Sequence, residues 1–163
     1  MLKPKLNVTK SGGNTAGRTL TEALDRLKRA EVLVGVPSDT TPRQEQKEMN
    51  NATLAAIHTY GSPLRNIPPR PFLEPAIEAN SDLISPELGE AAKAVFAKQP
   101  DRALLYLKRS GQLASNSVKR WWDDPRNGWA PNSPATVRRK GSDHPLIDTG
   151  QLRRSITYVV REE

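Results

Sequence analysis

Apolar positions recur along this chain in two periods, and the switches between them mark the elements. Leu20, Leu24 and Leu27 share one face of a helical wheel, and Thr19-Leu-Thr-Glu22 has capping-box spacing, in which a hydroxyl and a carboxylate each satisfy an orphan amide. A helix is therefore predicted from Thr19, with Lys28 and Arg29 at the end where cations suit the helix dipole. Val32-Leu-Val-Gly-Val36 then reads as a strand stopped by Pro37, and residues 37–46 as a polar loop. Helical spacing returns between about Glu45 and Tyr60 through Met49, Ala52, Leu54, Ala56 and Ile57, with Gly61 as the stop. Ser62 to Phe72 holds Pro63, Pro68, Pro69 and Pro71, which remove too many amides for helix or central strand. An extended connector is expected there, leading into a short helix through Phe72, Leu73 and Ile77.

In the second half, Ser85-Pro86-Glu87 reads as a helix start and Pro100-Asp101 as a break. The helix between them, to about Lys98, is expected to bury Ala91, Ala92, Val95 and Phe96. The longest helix is predicted over about 102–122, with Leu104, Leu107, Gly111, Ala114, Val118 and Trp121 on one stripe. Lys108, Gln112, Asn116, Lys119 and Arg120 fall on its other side. Gly111 and Ala114 are small enough that another element should cross closely there. Residues 123–145 are turn-rich, and so long a structureless loop implies a task. Asp148-Thr149-Gly150-Gln151-Leu152 reads as a turn capped by Asp148, aiming a strand over 155–160 in which Ile156, Tyr158 and Val160 alternate with more polar neighbours. That strand is expected to pair with the one near 31–36. Residues 1–18 lack periodicity and read as a flexible arm. The fold class expected is α+β: a small antiparallel sheet packed with several helices in one domain, 19–163.

Composition thins this picture. Apolar residues make up 36% and charged residues 26%, so the core is lean, and part of the chain is expected to order against a partner. There is no cysteine, which excludes disulfides and thiolate metal sites. No apolar run reaches membrane-spanning length and the first residues lack a signal-peptide stretch, so a soluble protein with no membrane partner is expected. The net charge of +7 is uneven: residues 1–100 carry 13 basic and 11 acidic side chains, residues 101–163 carry 12 and 7. A basic half suits nucleic acid, an acidic protein, or solubility alone.

Candidate chemistry is sparse. His58 and His144 are the only histidines, and Pro145 disfavours a helix that would align His144 with Asp148. No phosphate-binding, dinucleotide-binding or nucleophile-elbow motif occurs. No catalytic residue, metal or cofactor is assigned, and an enzyme is not expected. A small basic DNA-binding protein is the alternative from another class: Arg138, Arg139, Lys140 and the long helix could meet phosphates while Trp121, Trp122 and Trp129 stack on bases. Trp121 completing the apolar stripe and Trp129 covering the core edge is the favoured account.

Two segments carry a resemblance. Ile57-His58-Thr-Tyr60-Gly61, continuing to Ile67-Pro-Pro-Arg70-Pro71-Phe72-Leu73, is similar to a segment of phage virion-morphogenesis and tail-completion proteins. Trp129-Ala-Pro, then Thr136, Lys140-Gly141, and Pro145 through Asp148-Thr149-Gly150-Gln-Leu152 to Ile156, resembles that family's C-terminal signature. The resemblance spans about 32–160. It implies an α+β subunit that assembles as a homo-oligomeric ring, six-fold by the family pattern, at the neck of the virion after assembly in the host cytoplasm. Its neighbours would be the head connector or stopper and the tail tube or terminator; a terminator capping the tail tube is the rival role. His58, Tyr60, Gly61, Pro71, Trp129, Asp148, Thr149, Gly150 and Leu152 would be structural motif positions.

Physical reading places contact surfaces on this scheme. The rigid Arg70-Pro71-Phe72 run costs little entropy to order, so Phe72, with Leu73 beside it, could plug a neighbour's pocket while Arg70 forks onto a carboxylate. An intrachain core anchor is an equal reading of Phe72. Lys108, Lys119, Arg120, Arg138, Arg139 and Lys140 would meet acidic neighbours or, in the ring lumen, packaged DNA.

Overall fold

The molecule, a computed structural model, is described over residues 14–38 and 49–162. A long helix organises it. Helix α1 (Asn14–Arg29) leads into strand β1 (Ala30–Gly35); α2 (Asn51–Tyr60) precedes the proline-rich connector, which holds one 3-10 turn at Pro63–Arg65. Then follow α3 (Glu74–Glu78), α4 (Ser81–Phe96), α5 (Pro100–Trp121), a 3-10 turn at Pro125–Asn127, α6 (Pro134–Lys140), α7 (Gln151–Ser155) and β2 (Thr157–Glu162). Among the described residues this is an α+β fold with one two-stranded sheet.

β1 and β2 pair antiparallel, Val32 opposite Val160 and Val34 opposite Tyr158. A lone hairpin-sized sheet is marginal in water, so its stability comes from what it packs on. That support is α5, which also packs on α3 and α4. The alternation of the strands is clean: Val32, Val34, Tyr158 and Val160 are half-buried, whereas Leu33, Val159, Glu31 and Arg161 face outward. Gly111 makes the approach possible, because a Cβ there would overlap the Tyr158 ring. The close crossing predicted at Gly111 is thus a strand on a helix.

Several boundaries differ from expectation. Residues 14–18 are helical, so Thr19 is interior to α1 rather than its cap, and the rest of the expected arm lies outside the described residues. The first part of the helix expected from Glu45 also lies outside them; α2 is capped by Asn50, whose side chain accepts from the Thr53 amide at 2.8 Å. Ser85-Pro86 does not start α4. Asn80 does, its carbonyl accepting from Leu83 and Ile84, and Pro86 rides inside the second turn. The carbonyl that Pro86 leaves without a donor belongs to exposed Asp82, where water can serve it. The break falls at Lys98 (φ 56°), and Pro100 occupies the first turn of α5, where a missing amide costs nothing. The expected loop over 123–145 contains α6, capped by Ser133 and stopped by Gly141.

Burial also departs from the predicted stripes. α5 buries Ala103, Leu107, Ser110, Gly111, Ala114, Ser117, Val118 and Trp121, and leaves Leu104 and Leu105 outside. α4 buries Ile84, Ala91 and Ala94, with Phe96 exposed. The large buried side chains gather instead at the other end of α5, where Phe72, Val118, Trp121, Trp122, Leu152 and Ile156 form one cluster.

Candidate functional site

The two segments that carry the resemblance meet. Gly61 ends α2 at φ 74°, and a Cβ there would lie 2.8 Å from the Ile67 carbonyl, so only glycine lets the chain fold back. Ser62 and Ile67 close the resulting loop as an isolated bridge. The Arg70 amide then donates to the His58 carbonyl at 2.6 Å, which sets the connector along α2.

From this position Arg70 reaches across sixty residues of sequence. Its Nε and Nη2 both donate to the Ala130 carbonyl, at 3.1 and 2.8 Å, and Nη2 also to that of Pro131 at 3.2 Å. In return the Trp129 indole Nε1 donates to the Pro71 carbonyl at 3.0 Å. Phe72 meets Trp122 edge-on, centroids 5.4 Å apart, and Trp122 meets Trp129 likewise at 6.3 Å. Connector and C-terminal segment form one clamp.

This geometry revises several assignments. Phe72 is fully buried within its own subunit, so it is a core anchor and not a plug offered to a neighbour. Arg70 is 6% exposed and its fork grips backbone carbonyls, where a partner's carboxylate was expected. Leu73 packs half-buried against the same core. Leu152 is a buried core residue, and Trp129 sits half-buried at the edge. Pro71 is exposed, its carbonyl taken by Trp129. Helix α7 has no side-chain cap from Asp148; Gly150 precedes it at φ 71°, and the Thr149 hydroxyl accepts weakly from the Gln151 amide at 3.4 Å. His58 is half-buried on α2, while Tyr60 is 81% exposed and contributes nothing to the core.

The basic residues divide into two places. Lys108 and Arg120 are exposed on α5 and Lys119 is half-buried there. Arg138, Arg139 and Lys140 form the last turn of α6, whose inner side borders a cleft of about 600 Å³ shared with the connector. Burial pushes the Lys140 ammonium below its ordinary value; Asp148 pulls it back up, and Arg70 and Arg139 add to the fall. Burial likewise lowers Arg70. Trp121 and Trp122 are buried and unavailable for stacking on bases.

Sequence reading missed Leu64, which protrudes fully exposed from the 3-10 turn two residues before Asn66, itself at φ 52°. A leucine inside a proline-rich turn with no periodic partner is the signal that could have found it. Among the described residues no cluster of three or more His, Asp and Glu is arranged to hold a metal, and no helix is long and apolar enough to cross a membrane.

No protein-family model matches the chain and no solved structure does. It is 35% identical over 69 residues to an uncharacterized protein of Methanocaldococcus jannaschii; the match takes in 42% of this chain and 47% of that protein. The chain thus spans about half the length of this relative.

Proposed function

We propose that this chain is a non-enzymatic structural subunit of a tailed phage, a tail-completion or tail-to-head joining protein that works as a ring in the virion neck. The observation that carries the reading is the clamp: the two segments on which the resemblance depends, far apart in sequence, are held together by Arg70, Trp129 and the edge-on contacts of Phe72, Trp122 and Trp129. Their residues serve architecture, which is what a motif shared among scaffolding subunits would preserve.

The surface supports assembly. Leu20, Leu24, Leu64, Leu83, Leu88, Phe96, Leu104 and Leu105 are each more than a third exposed, a large apolar complement for a subunit with so lean a core. Burying such residues against another copy is the usual source of association energy. In a closed ring the contact is heterologous, one surface against a different surface of the next copy.

The test is electron microscopy of particles made without the protein. Full heads beside normal-length, unattached tails are expected. Overlong tails would instead favour a terminator, and normal infectious particles would sink both roles. The mass of the purified chain, alone and mixed with connector or tail, checks the ring directly.

A further inference from the structure

The cleft between α6 and the connector carries more positive than negative charge among its described lining residues. Arg70 lines it, nine-tenths buried, and its hydrogen bonds run from Nε and Nη2 to two neutral carbonyls. Its Nη1 makes no hydrogen bond among the described residues and is not one of their buried unpartnered atoms, so solvent reaches it, and no carboxylate there pairs with the guanidinium. Arg139 and Lys140 line the same cleft, and Lys140 spends one donor on the His144 carbonyl at 2.8 Å. Against these three cations the described lining offers one anion, Asp148. A guanidinium edge that solvent reaches, with no counter-charge beside it, is free to pair with a bound anion.

The walls restrict which anion. Pro63, Ile67, Pro68, Leu54 and Leu146 supply apolar surface around these charges. A duplex offers a broad, regularly spaced row of phosphates and little apolar surface, whereas this is a short cleft with one buried cation, Arg70, and two more accessible ones, Arg139 and Lys140. An acidic peptide matches both features, a carboxylate reaching the cations and apolar neighbours lying on the prolines.

We infer that this cleft is a docking site for an acidic segment of a protein partner, in which a Glu or Asp carboxylate pairs with Arg70 Nη1 and is flanked by Arg139 and Lys140. Asp148 occupies part of this field and competes with the incoming carboxylate. The ligand class follows from the cleft alone and goes beyond the neck reading: a ring without this docking, or this docking in a chain with another role, would separate the two.

The test uses the full chain and a short capped peptide of alternating leucine and glutamate, followed by the NMR signals of the Arg70 guanidinium and the Trp129 indole. Saturable shifts are expected at both, and none with the matching glutamine peptide. The double substitution Arg139→Gln, Lys140→Gln, on side chains outside the core, should weaken binding about tenfold, and Asp148→Asn should tighten it several-fold. These variants leave the Arg70 clamp intact, so loss of folding does not confuse the result. Absence of shifts with the glutamate peptide, or equal shifts with glutamine, would overturn the inference. So would inorganic phosphate binding as tightly as the peptide, which marks a small-anion site. A DNA duplex displacing the peptide with a steep salt dependence would reassign the cleft to nucleic acid.

Discussion

The two ends of α5 are packed by opposite rules. At the Trp121 end, Phe72, Trp122, Leu152 and Ile156 are all at most 2% exposed, and large side chains fill the space. Along the Pro100 half, the buried residues of α4 and α5 include Ala91, Ala94, Ala103, Leu107 and Ser110, mostly small, with larger Phe96, Leu104 and Leu105 turned out. Small residues let the two helices approach closely, but each buried methyl yields little compared with a ring. Stability of the single subunit therefore resides at the clamp, whereas the Pro100 half of α4 and α5 leaves a reserve of apolar surface exposed.

The largest effect should come from emptying the clamp. Phe72→Ala removes a fully buried ring and leaves Trp122 without its edge-on partner, so a loss of about 3–5 kcal/mol is expected in denaturant unfolding. A loss below about 1 kcal/mol would mean that the clamp is not where the subunit is held. Next comes Arg70→Met, which keeps the stem but strands the Ala130 and Pro131 carbonyls. Charge-assisted hydrogen bonds of this kind are worth about 1.5–3 kcal/mol, partly offset by removing a buried charge, so about 2 kcal/mol should be lost. Trp129 fluorescence should change with it, because Trp129 is gripped by the same segment.

Gly111→Ala probes the middle of α5, where both rules meet. Helix propensity alone favours alanine by about 1 kcal/mol. The Cβ, however, would overlap the Tyr158 ring, which is held on β2, and overpacking costs about 1–3 kcal/mol. A net loss is expected, and Tyr158→Leu in the same chain should recover part of it. A stabilised Gly111→Ala would show that the sheet slides on the helix.

Much of this contrast could be read in the amino-acid pattern, and the failures have physical causes. The strand pair, the long helix and the crossing at Gly111 follow from periodicities and from one small residue in an apolar stripe. Phe96 and Leu104 were expected inside because a helical wheel reports which residues are apolar, and says nothing of whether another element covers them. Ser85-Pro86 and Ser133-Pro134 carry the same start signal; it holds at Ser133, and fails at Ser85 because Asn80 has already begun the helix upstream. Gly141 after Lys140 would have revealed α6 as well. The Arg70 clamp was out of reach, since its acceptors are backbone carbonyls, and a carbonyl leaves no residue type to recognise.

Substitutions at the other end should leave folding almost untouched. Phe96→Ser with Leu105→Ser alters exposed side chains, so the unfolding free energy should stay within about 0.5 kcal/mol. Mass at rising concentration is the informative measurement: the parent chain should associate and the double variant should do so less. Unchanged association would move the reserve surface to α1 or to Leu64.

The smallest effect belongs to the turn that leaves α5. Asp124 accepts from the Arg126 amide at 2.9 Å and from its guanidinium at 2.7 Å, and this pairing holds the carboxyl down at about 2. Arg126 also lies 5.5 Å from the Trp121 ring centroid, so the turn leans on the edge of the clamp. The sign is fixed by the direction of the shift. A carboxyl held below its unfolded value contributes stability at neutral pH, and that contribution fades as the pH falls from about 4 through about 2. Asp124→Asn keeps an oxygen for the amide but removes the charge, so the variant should be slightly less stable at pH 7 and should lose the fall in stability across that window. An unchanged acid limb would mean that the pair is solvated and that the clamp ends at Trp121.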